Sequence, residues 1–372
     1  MSAPLLAVLC DYAAERWPSM DLCAEMLLAG LARRDDLLAE RVQPVFRERA
    51  AALPGLSGAR FARNADRVFN RYYDYPRALR EVARRCDLFH VVDHSYAQLV
   101  LSLPAERTGV FCHDLDTFRC LLEPERDPRP RWFQRLARST LRGFVSAARV
   151  FHTTLAVRDE LLRHALVPPE RLVYAPLGVA REFTAEGEAA RLGAGTPAGR
   201  YLLHVGSCIP RKRVDLLLRV FAGLRRRCDD LRLVKVGGPW TAEQRALIAA
   251  EELAPWIELR QDIPRAELAA LYRGAALVLH PSDQEGFGLP LIEALACGAI
   301  VVASAIPAHE EVGARAAVFA PPGRVEPWVD LCAELLELPA AAPPREERLA
   351  HAQRYSWEAH ADRIARTYLE LA

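Results

Sequence analysis

The chain has 372 residues, too many for one ordinary hydrophobic core, so two domains are expected. Its 49 basic and 48 acidic residues leave a formal charge of +1, which offers no field to recruit nucleic acid, and no nucleic-acid partner is expected. Nine scattered cysteines without a CxxC pair argue against a disulfide framework or a zinc site, and for reduced thiols in the cytoplasm.

The opening MSAPLLAVLCDY has no basic lead and soon meets acidic residues, so it reads as a buried first strand and not as a signal peptide. No uncharged apolar run in the chain is long enough to span a bilayer. Short apolar runs alternate with helical periodicity throughout, the pattern of βα units and parallel sheets. In the first half, strands are expected at 4–10, 41–46, 88–92, 110–112, 150–152 and 172–175, with helices at 20–33, 76–85, 132–147 and 156–164. The stretch 47–75 reads as mixed helix and loop. The polar, glycine-rich segment 184–200 is the best linker. In the second half, strands are expected at 201–205, 231–236, 257–260, 277–280, 299–303 and 317–319. Helices are expected there at 214–226, 242–252, 265–273, 289–297 and 325–338. A loose stretch at 339–344 then precedes a last helix over 357–371.

The stretch DQEGFGLPLIE, Asp283 to Glu293, carries the strongest chemical signal. Gly286 and Gly288 permit a sharp turn with no side chain between backbone and ligand. Pro290 fits the start of a helix and Gly298 its end. A glycine turn running from a strand end into a helix is where backbone N–H groups and the helix dipole hold anionic phosphate. Glu285 precedes the helix and Glu293 lies about one turn inside it, so they share no helix face but can reach different parts of one elongated ligand. Taken alone, they read equally well as a solvated loop glutamate and a helix-surface glutamate.

Further features follow in fixed order. His204-Val205-Gly206-Ser207 ends a strand, and Pro210-Arg211-Lys212-Arg213 precedes a helix. Leu277 to Ser282 leads into the EGFGLPLIE stretch, followed by Ala294 to Gly298 and a strand ending before Pro307. Together these resemble the C-terminal half of a family-4 retaining glycosyltransferase over roughly residues 200–320. The resemblance implies an α/β chain of the GT-B class: two Rossmann-like domains facing each other across a cleft, with the C-terminal helix crossing back to the first. The expected domains are 1–180, joined by the 353–372 helix, on the acceptor side, and 181–352 on the donor side.

The resemblance also implies roles for particular residues. Glu285 matches the first glutamate of the family's E-x7-E motif, near the donor sugar, and Glu293 the second, on the ribose. Arg211 and Lys212 match the basic pair that holds the diphosphate, where fixed cations stabilise the charge of a departing nucleoside diphosphate. One of only two lysines in the chain falls there. Gly206, Ser207, Gly286, Phe287, Gly288 and Leu289 complete the expected donor site, with Ile263 beside the base. Ser207 stands where many relatives carry arginine, which leaves Arg211 as the guanidinium donor.

In the first half, Val110-Phe111-Cys112-His113-Asp114 ends a strand at the position where the family turns a histidine toward the donor sugar. His113, with Glu285, is therefore the catalytic-side candidate; a satisfied structural histidine is the alternative. Asp114-Leu115-Asp116 has metal-binding DxD spacing, but enzymes of this fold generally do not need a metal, and none is assigned. No separate cofactor is expected, because the nucleotide-sugar is itself a substrate. The glycine pair that relatives carry after the first strand is missing from Asp11–Asp21. Ser19 and the helix backbone are the expected substitutes, Trp17 is expected to shape the acceptor pocket, and Asp114 joins them on the acceptor side.

Residues 128–150 contain six arginines and no carboxylate, interleaved with Trp132, Phe133, Leu136, Leu141 and Phe144. This reads either as a helix with its apolar stripe on a sheet or as a peripheral contact with anionic lipid at the inner face of the cell membrane. The function implied is transfer of a hexosyl group from a UDP- or GDP-sugar to a glycan or lipid-linked acceptor, in polysaccharide or glycolipid synthesis. A non-catalytic nucleotide-sugar binder is the alternative, and a glycosidase or phosphorylase a weaker one: Glu293, inside a helix, is poorly placed to flank a scissile bond.

Overall fold

The computed structural model describes residues 3–53, 55, 59–189 and 200–372. The chain divides into two compact units, one ending at Leu177 and regaining Trp357–Ala372, the other comprising Gly178–Ser356. The first boundary falls three residues before the position at 180 expected from the sequence. Of the linker expected at 184–200, residues 190–199 lie outside the described set.

The first unit is a six-stranded parallel sheet in the order β2-β1-β3-β4-β5-β6. Its strands are β1 Leu5–Leu9, β2 Leu38–Val42, β3 Leu88–Val91, β4 Thr108–Cys112, β5 Arg149–His152 and β6 Leu172–Tyr174. β1, β3 and β4 are buried almost throughout, which is why they read as continuous apolar runs in place of an alternating pattern. The last helix, Trp357–Leu369, packs on helix Pro18–Leu31, where a Cβ on Gly30 would come within 2.4 Å of the Ala361 methyl. Its Tyr368 hydroxyl donates to the Phe89 carbonyl at 2.8 Å, and Gly109 of β4 leaves room for that hydroxyl.

The second unit repeats the architecture in the order β12-β11-β10-β7-β8-β9, all parallel. Its strands are β7 Tyr201–Val205, β8 Arg232–Val236, β9 Ile257–Arg260, β10 Leu277–His280, β11 Val301–Ser304 and β12 Val318–Ala320. Leu202, Leu233, Leu279 and Val302 from the sheet pack with Leu217, Phe221 and Trp328 from the helices in one core. Gly237, at φ +124°, lets the end of β8 pass so close to β7 that a Cβ would lie 2.2 Å from the Gly206 carbonyl oxygen. Only glycine fits there, and the contact fixes the loop that follows β7.

Some sequence expectations shift for identifiable reasons. The second strand runs 38–42 and not 41–46, because Leu5 pairs with Leu38 and Pro44 cannot donate to a ladder. Residues 47–75 are indeed mixed: helix Arg60–Phe69 continues through a five-residue π turn, Asn70–Asp74, into helix Tyr75–Arg85. Helices Pro307–Gly313 and Arg345–Ala352 and the 3-10 run His94–Ser102 add to the expected elements. The basic segment forms helix Arg131–Ser146, whose Ala137, Thr140, Gly143 and Phe144 are buried, and the helix packs on His94–Ser102. Arg131, Arg135, Arg138 and Arg142 face solvent, and Trp132 is 58% exposed. Among the described residues no helix is long and apolar enough to cross a membrane.

Candidate functional site

In the second sheet, β10 and β7 are adjacent at the centre, and the strand order runs outward from them in both directions. The carboxyl ends of such a pair form the crevice in which open α/β sheets bind ligands. The loop after β10 carries Glu285, and the loop after β7 carries Arg211 and Lys212, so the sheet brings together residues far apart in the chain. Lys212 Nζ lies 2.5 Å from Glu285 Oε1, and Arg211 Nη1 lies 3.4 Å from Oε2. The Ser282 hydroxyl donates to Oε1 at 2.7 Å, and Arg211 also donates to the Gln284 carbonyl at 3.1 Å. The Glu285 side chain keeps only 8% exposure. Burial opposes its charge, but Lys212 and Arg211 overcome it and hold the carboxyl at about 2.

Below this ion pair lie His204, His280 and His309, whose ring centroids are 6.2 and 6.3 Å apart in succession. Burial lowers the pKa of all three, so they are neutral imidazoles. His204 donates from Nδ1 to the Leu279 carbonyl, and its Nε2 would meet a Cβ on Gly206 at 3.4 Å. His309 lies at the same distance from a Cβ on Gly288. Two of the three glycines expected at the donor site, Gly206 and Gly288, are thus backed by uncharged rings, which leave the local positive charge to Lys212 and Arg211.

Helix Leu289–Ala296 starts at Gly288, whose φ of +90° makes the left-handed turn into it, and Gly298 ends it at φ +78°. Pro290 takes the second helical position, not the first. Phe287 is buried edge-on against Tyr355 at 5.5 Å and pins the turn. Glu293 is also buried, at 7% exposure, and accepts a hydrogen bond from the Tyr272 hydroxyl at 3.2 Å. Burial pushes its carboxyl up to about 7. The two glutamates therefore differ in character: Glu285 is a fixed anion in a cationic cage, whereas burial favours the protonated form of Glu293. Ser207 is exposed in the β7 loop, and Ile263 lies in the β9 loop before helix Arg265–Gly274.

The candidates of the first unit sit differently. His113 follows β4 and is buried, with Nε2–H donating to the Val92 carbonyl at 2.9 Å. Burial lowers its pKa, so its ring is a neutral imidazole with Nδ1 as acceptor. Asp114 Oδ1 accepts the Asp116 N–H at 3.0 Å and lies 3.5 Å from His94 Nε2, so the DxD carboxylate serves its own turn. Trp17 precedes helix Pro18–Leu31 and is 48% exposed, and Ser19 is an exposed residue of its first turn. The buried polar residues beside His113 are instead Asp93 and His94, with Asp11 at the end of β1. The sequence carries a signal for the two aspartates that the search for loop residues overlooks: LAVLCD and FHVVDH are both apolar strands that end on aspartate.

Comparison with known proteins gives the family and the fold. The family model described as "Glycosyl transferases group 1" matches residues 196–356, and "Glycosyltransferase Family 4" matches 24–183. The chain belongs to the family-4 glycosyltransferases. A D-inositol 3-phosphate glycosyltransferase of Kineococcus radiotolerans is 34% identical over 60% of this chain and 57% of its own length. The O-antigen chain mannosyltransferase B of Escherichia coli is 28% identical over 68% of each. The matched region spans little more than half the length of the first curated relatives. The crystal structure of Anabaena Alr3699/HepE in complex with UDP-glucose superimposes with a TM-score of 0.74 at 17% identity, over 99% of this chain and 100% of that one. At that identity the likeness carries the fold, and the fold of this family-4 member is GT-B.

The raised carboxyl of Glu293 has a consequence for stability. It binds its proton more tightly in the fold than in the unfolded chain, so its contribution favours folding fully below pH 4.5 and is lost as pH rises through about 7. A shift of this size corresponds to ~3 kcal/mol between protonation states. Glu293→Gln is therefore expected to melt above the wild type at pH 8, with the gap closing toward pH 5. A gap of equal size at both pH values in thermal unfolding would contradict a carboxyl held neutral by burial.

Proposed function

We propose that the chain transfers a hexosyl group from a nucleoside-diphosphate sugar, with UDP or GDP as the nucleotide, to an acceptor hydroxyl with retention at the anomeric carbon. The observation that carries this reading is the Glu285–Lys212–Arg211 cage at the carboxyl ends of β7 and β10. An arriving diphosphate competes with Glu285 for both cations, and the turn that carries Glu285 runs directly into the start of helix Leu289–Ala296. The relatives fit: two are named for sugar transfer, and one structure holds UDP-glucose.

In this reading Glu293 accepts from the ribose hydroxyls and Glu285 from hydroxyls of the sugar. His113 Nδ1 offers a neutral acceptor from the first unit. The bond from the anomeric carbon to the phosphate oxygen breaks as the bond to the acceptor oxygen forms, and the acceptor proton passes to the departing phosphate. Lys212 and Arg211 take up the charge that builds on that phosphate, the work a metal does elsewhere. No carboxylate acts as nucleophile, and no cofactor is needed beside the donor. Glycan and lipid-linked acceptors, as in polysaccharide or glycolipid synthesis, suit the acceptor side. Nine unpaired thiols fit a reducing cytoplasm. Helix Arg131–Ser146 adds peripheral contact with anionic lipid, carried by Trp132 among four exposed arginines.

A melting screen with UDP, GDP and their sugars should find one nucleotide series that stabilises the protein. Glu293→Ala should weaken that series about 10-fold, from two ribose hydroxyls that each lose a hydrogen bond of ~0.5–1.5 kcal/mol. Transfer products should keep the donor's anomeric configuration by NMR. Nucleotide binding without transfer to any acceptor would favour the non-catalytic binder, and unchanged affinity in Glu293→Ala would sink the site assignment. For the membrane contact, co-sedimentation with anionic liposomes should fall as salt rises and vanish when Arg135, Arg138 and Arg142 are replaced by glutamate. Salt-insensitive sedimentation, or sedimentation that survives the charge reversal, would rule it out.

A further inference from the structure

Glu293 is buried, yet its two carboxyl oxygens meet different surroundings. Oε2 accepts from the Tyr272 hydroxyl at 3.2 Å. Oε1 accepts from no described residue and, unlike the orphaned Glu182 Oε2, is not sealed from solvent. One oxygen is therefore engaged inward, and the other, with two lone pairs, is left for a ligand.

Tyr272 is placed to hold this orientation. It lies on helix Arg265–Gly274, is fully buried, and packs its ring edge-on against Phe183 at 5.8 Å. One residue earlier, the Leu271 carbonyl accepts from the Tyr201 hydroxyl of β7 at 2.7 Å, which ties the helix to the central strand. A carboxyl bonded to a phenol fixed in this way cannot swing.

The same hydroxyl bears on the form of the carboxyl. Burial favours protonated Glu293, and the Tyr272 O–H, a donor, favours the anion. Arg265 favours the anion as well and Glu182 opposes it; these two face each other at 3.9 Å. The Cys297 thiol at the end of the Glu293 helix is pushed up to about 12 and carries no charge. His280 and His309 are neutral and lie toward Glu285, while Arg345 and Arg348 lie at Gly298, past the far end of the helix. Hydroxyl donors need an acceptor, and only the anion is an acceptor at both oxygens.

We propose that Tyr272 is a positioning residue for the donor nucleotide: by holding Oε2 of Glu293 it presents Oε1 to the paired hydroxyls of a ribose. This rests on the transfer reading and goes beyond it, because discrimination between ribose and deoxyribose then depends on a residue that touches no ligand.

The test uses the full chain with Tyr272→Phe, Glu293→Gln and the double variant. The probes are UDP and GDP, each beside its 2′,3′-dideoxy analogue, in calorimetric titration. The wild type should favour the ribose form of its nucleotide by about 10-fold. Tyr272→Phe should lose about 3- to 10-fold on the ribose form and nothing on the dideoxy form. In the Glu293→Gln background the same replacement should cost nothing further. The second readout is pH. Affinity for the ribose form should fall as pH drops through about 7, where Glu293 takes up its proton, and in Tyr272→Phe that fall should begin at higher pH. The ligand's own titration is common to both chains and cancels in the comparison. Equal losses on ribose and dideoxy forms, or an unshifted pH profile, would make Tyr272 a purely structural residue and overturn the positioning role alone. A wild type that binds no nucleotide, or binds ribose and dideoxy forms alike, would overturn the transfer reading's assignment of Glu293, whatever Tyr272→Phe does.

Discussion

The second unit depends on keeping a carboxylate charged while nearly burying it. Glu285 is stable there only because Lys212 and Arg211 reach it from another loop. Neither loop could do this alone. The cations come from the end of β7, the carboxylate from the end of β10, and only the parallel pairing of those strands makes them neighbours. Gly237 and Phe287 serve the same end, one fixing the β7 loop by close approach and the other anchoring the β10 loop in the core. The result is a cluster of two cations around one carboxylate, in which the proposed reading has an external anion take the place of the internal one.

The two sheets solve one topological problem twice, with opposite chemistry. In the second, the central crevice holds two cations around one carboxylate and suits a phosphate. In the first, it holds the buried carboxyl groups of Asp11 and Asp93. Each crevice sits where strand order reverses, a place a parallel sheet leaves open whatever the residues. The side chains then decide what enters it. The last helix belongs to this arrangement as well, because Tyr368 and Gly109 lock it against β3 and β4, the strands that carry Asp93 and His113.

The second unit is the more legible in sequence, and the reason is physical. Its motif residues are separated by glycines and prolines whose backbone requirements are strict, so the residues of EGFGLP by themselves specify a turn into a helix. Strands 201–205 and 277–280 coincide with short apolar runs, and strand 257–260, IELR, with an alternating one. Pairing across the sheet is not legible in this way. Nothing local in PRKR says that Lys212 meets Glu285, and nothing local in CDYAAER says that Asp11 lies beside Asp93. The loops of the first unit mislead as well. Trp17 and Ser19 stand out as aromatic or polar residues beyond the strand, whereas the buried acid there is Asp11, at the strand's end. Helix Arg345–Ala352 is hard to read because its sequence, REERLAHA, shows only a thin apolar stripe and follows a proline pair.

The central claim is that Glu285 occupies, in the resting protein, the cations a diphosphate will use. Calorimetric titration of the nucleoside diphosphate without its sugar, into Glu285→Gln and Lys212→Ala, tests this most directly. Releasing Lys212 by Glu285→Gln should tighten binding of the bare diphosphate, and Lys212→Ala should weaken it about 10- to 100-fold, in line with ~1.5–3 kcal/mol for a charge-assisted contact. Opposite signs are the prediction. Equal weakening in both variants, or no change in either, would show that the ion pair is only a structural brace.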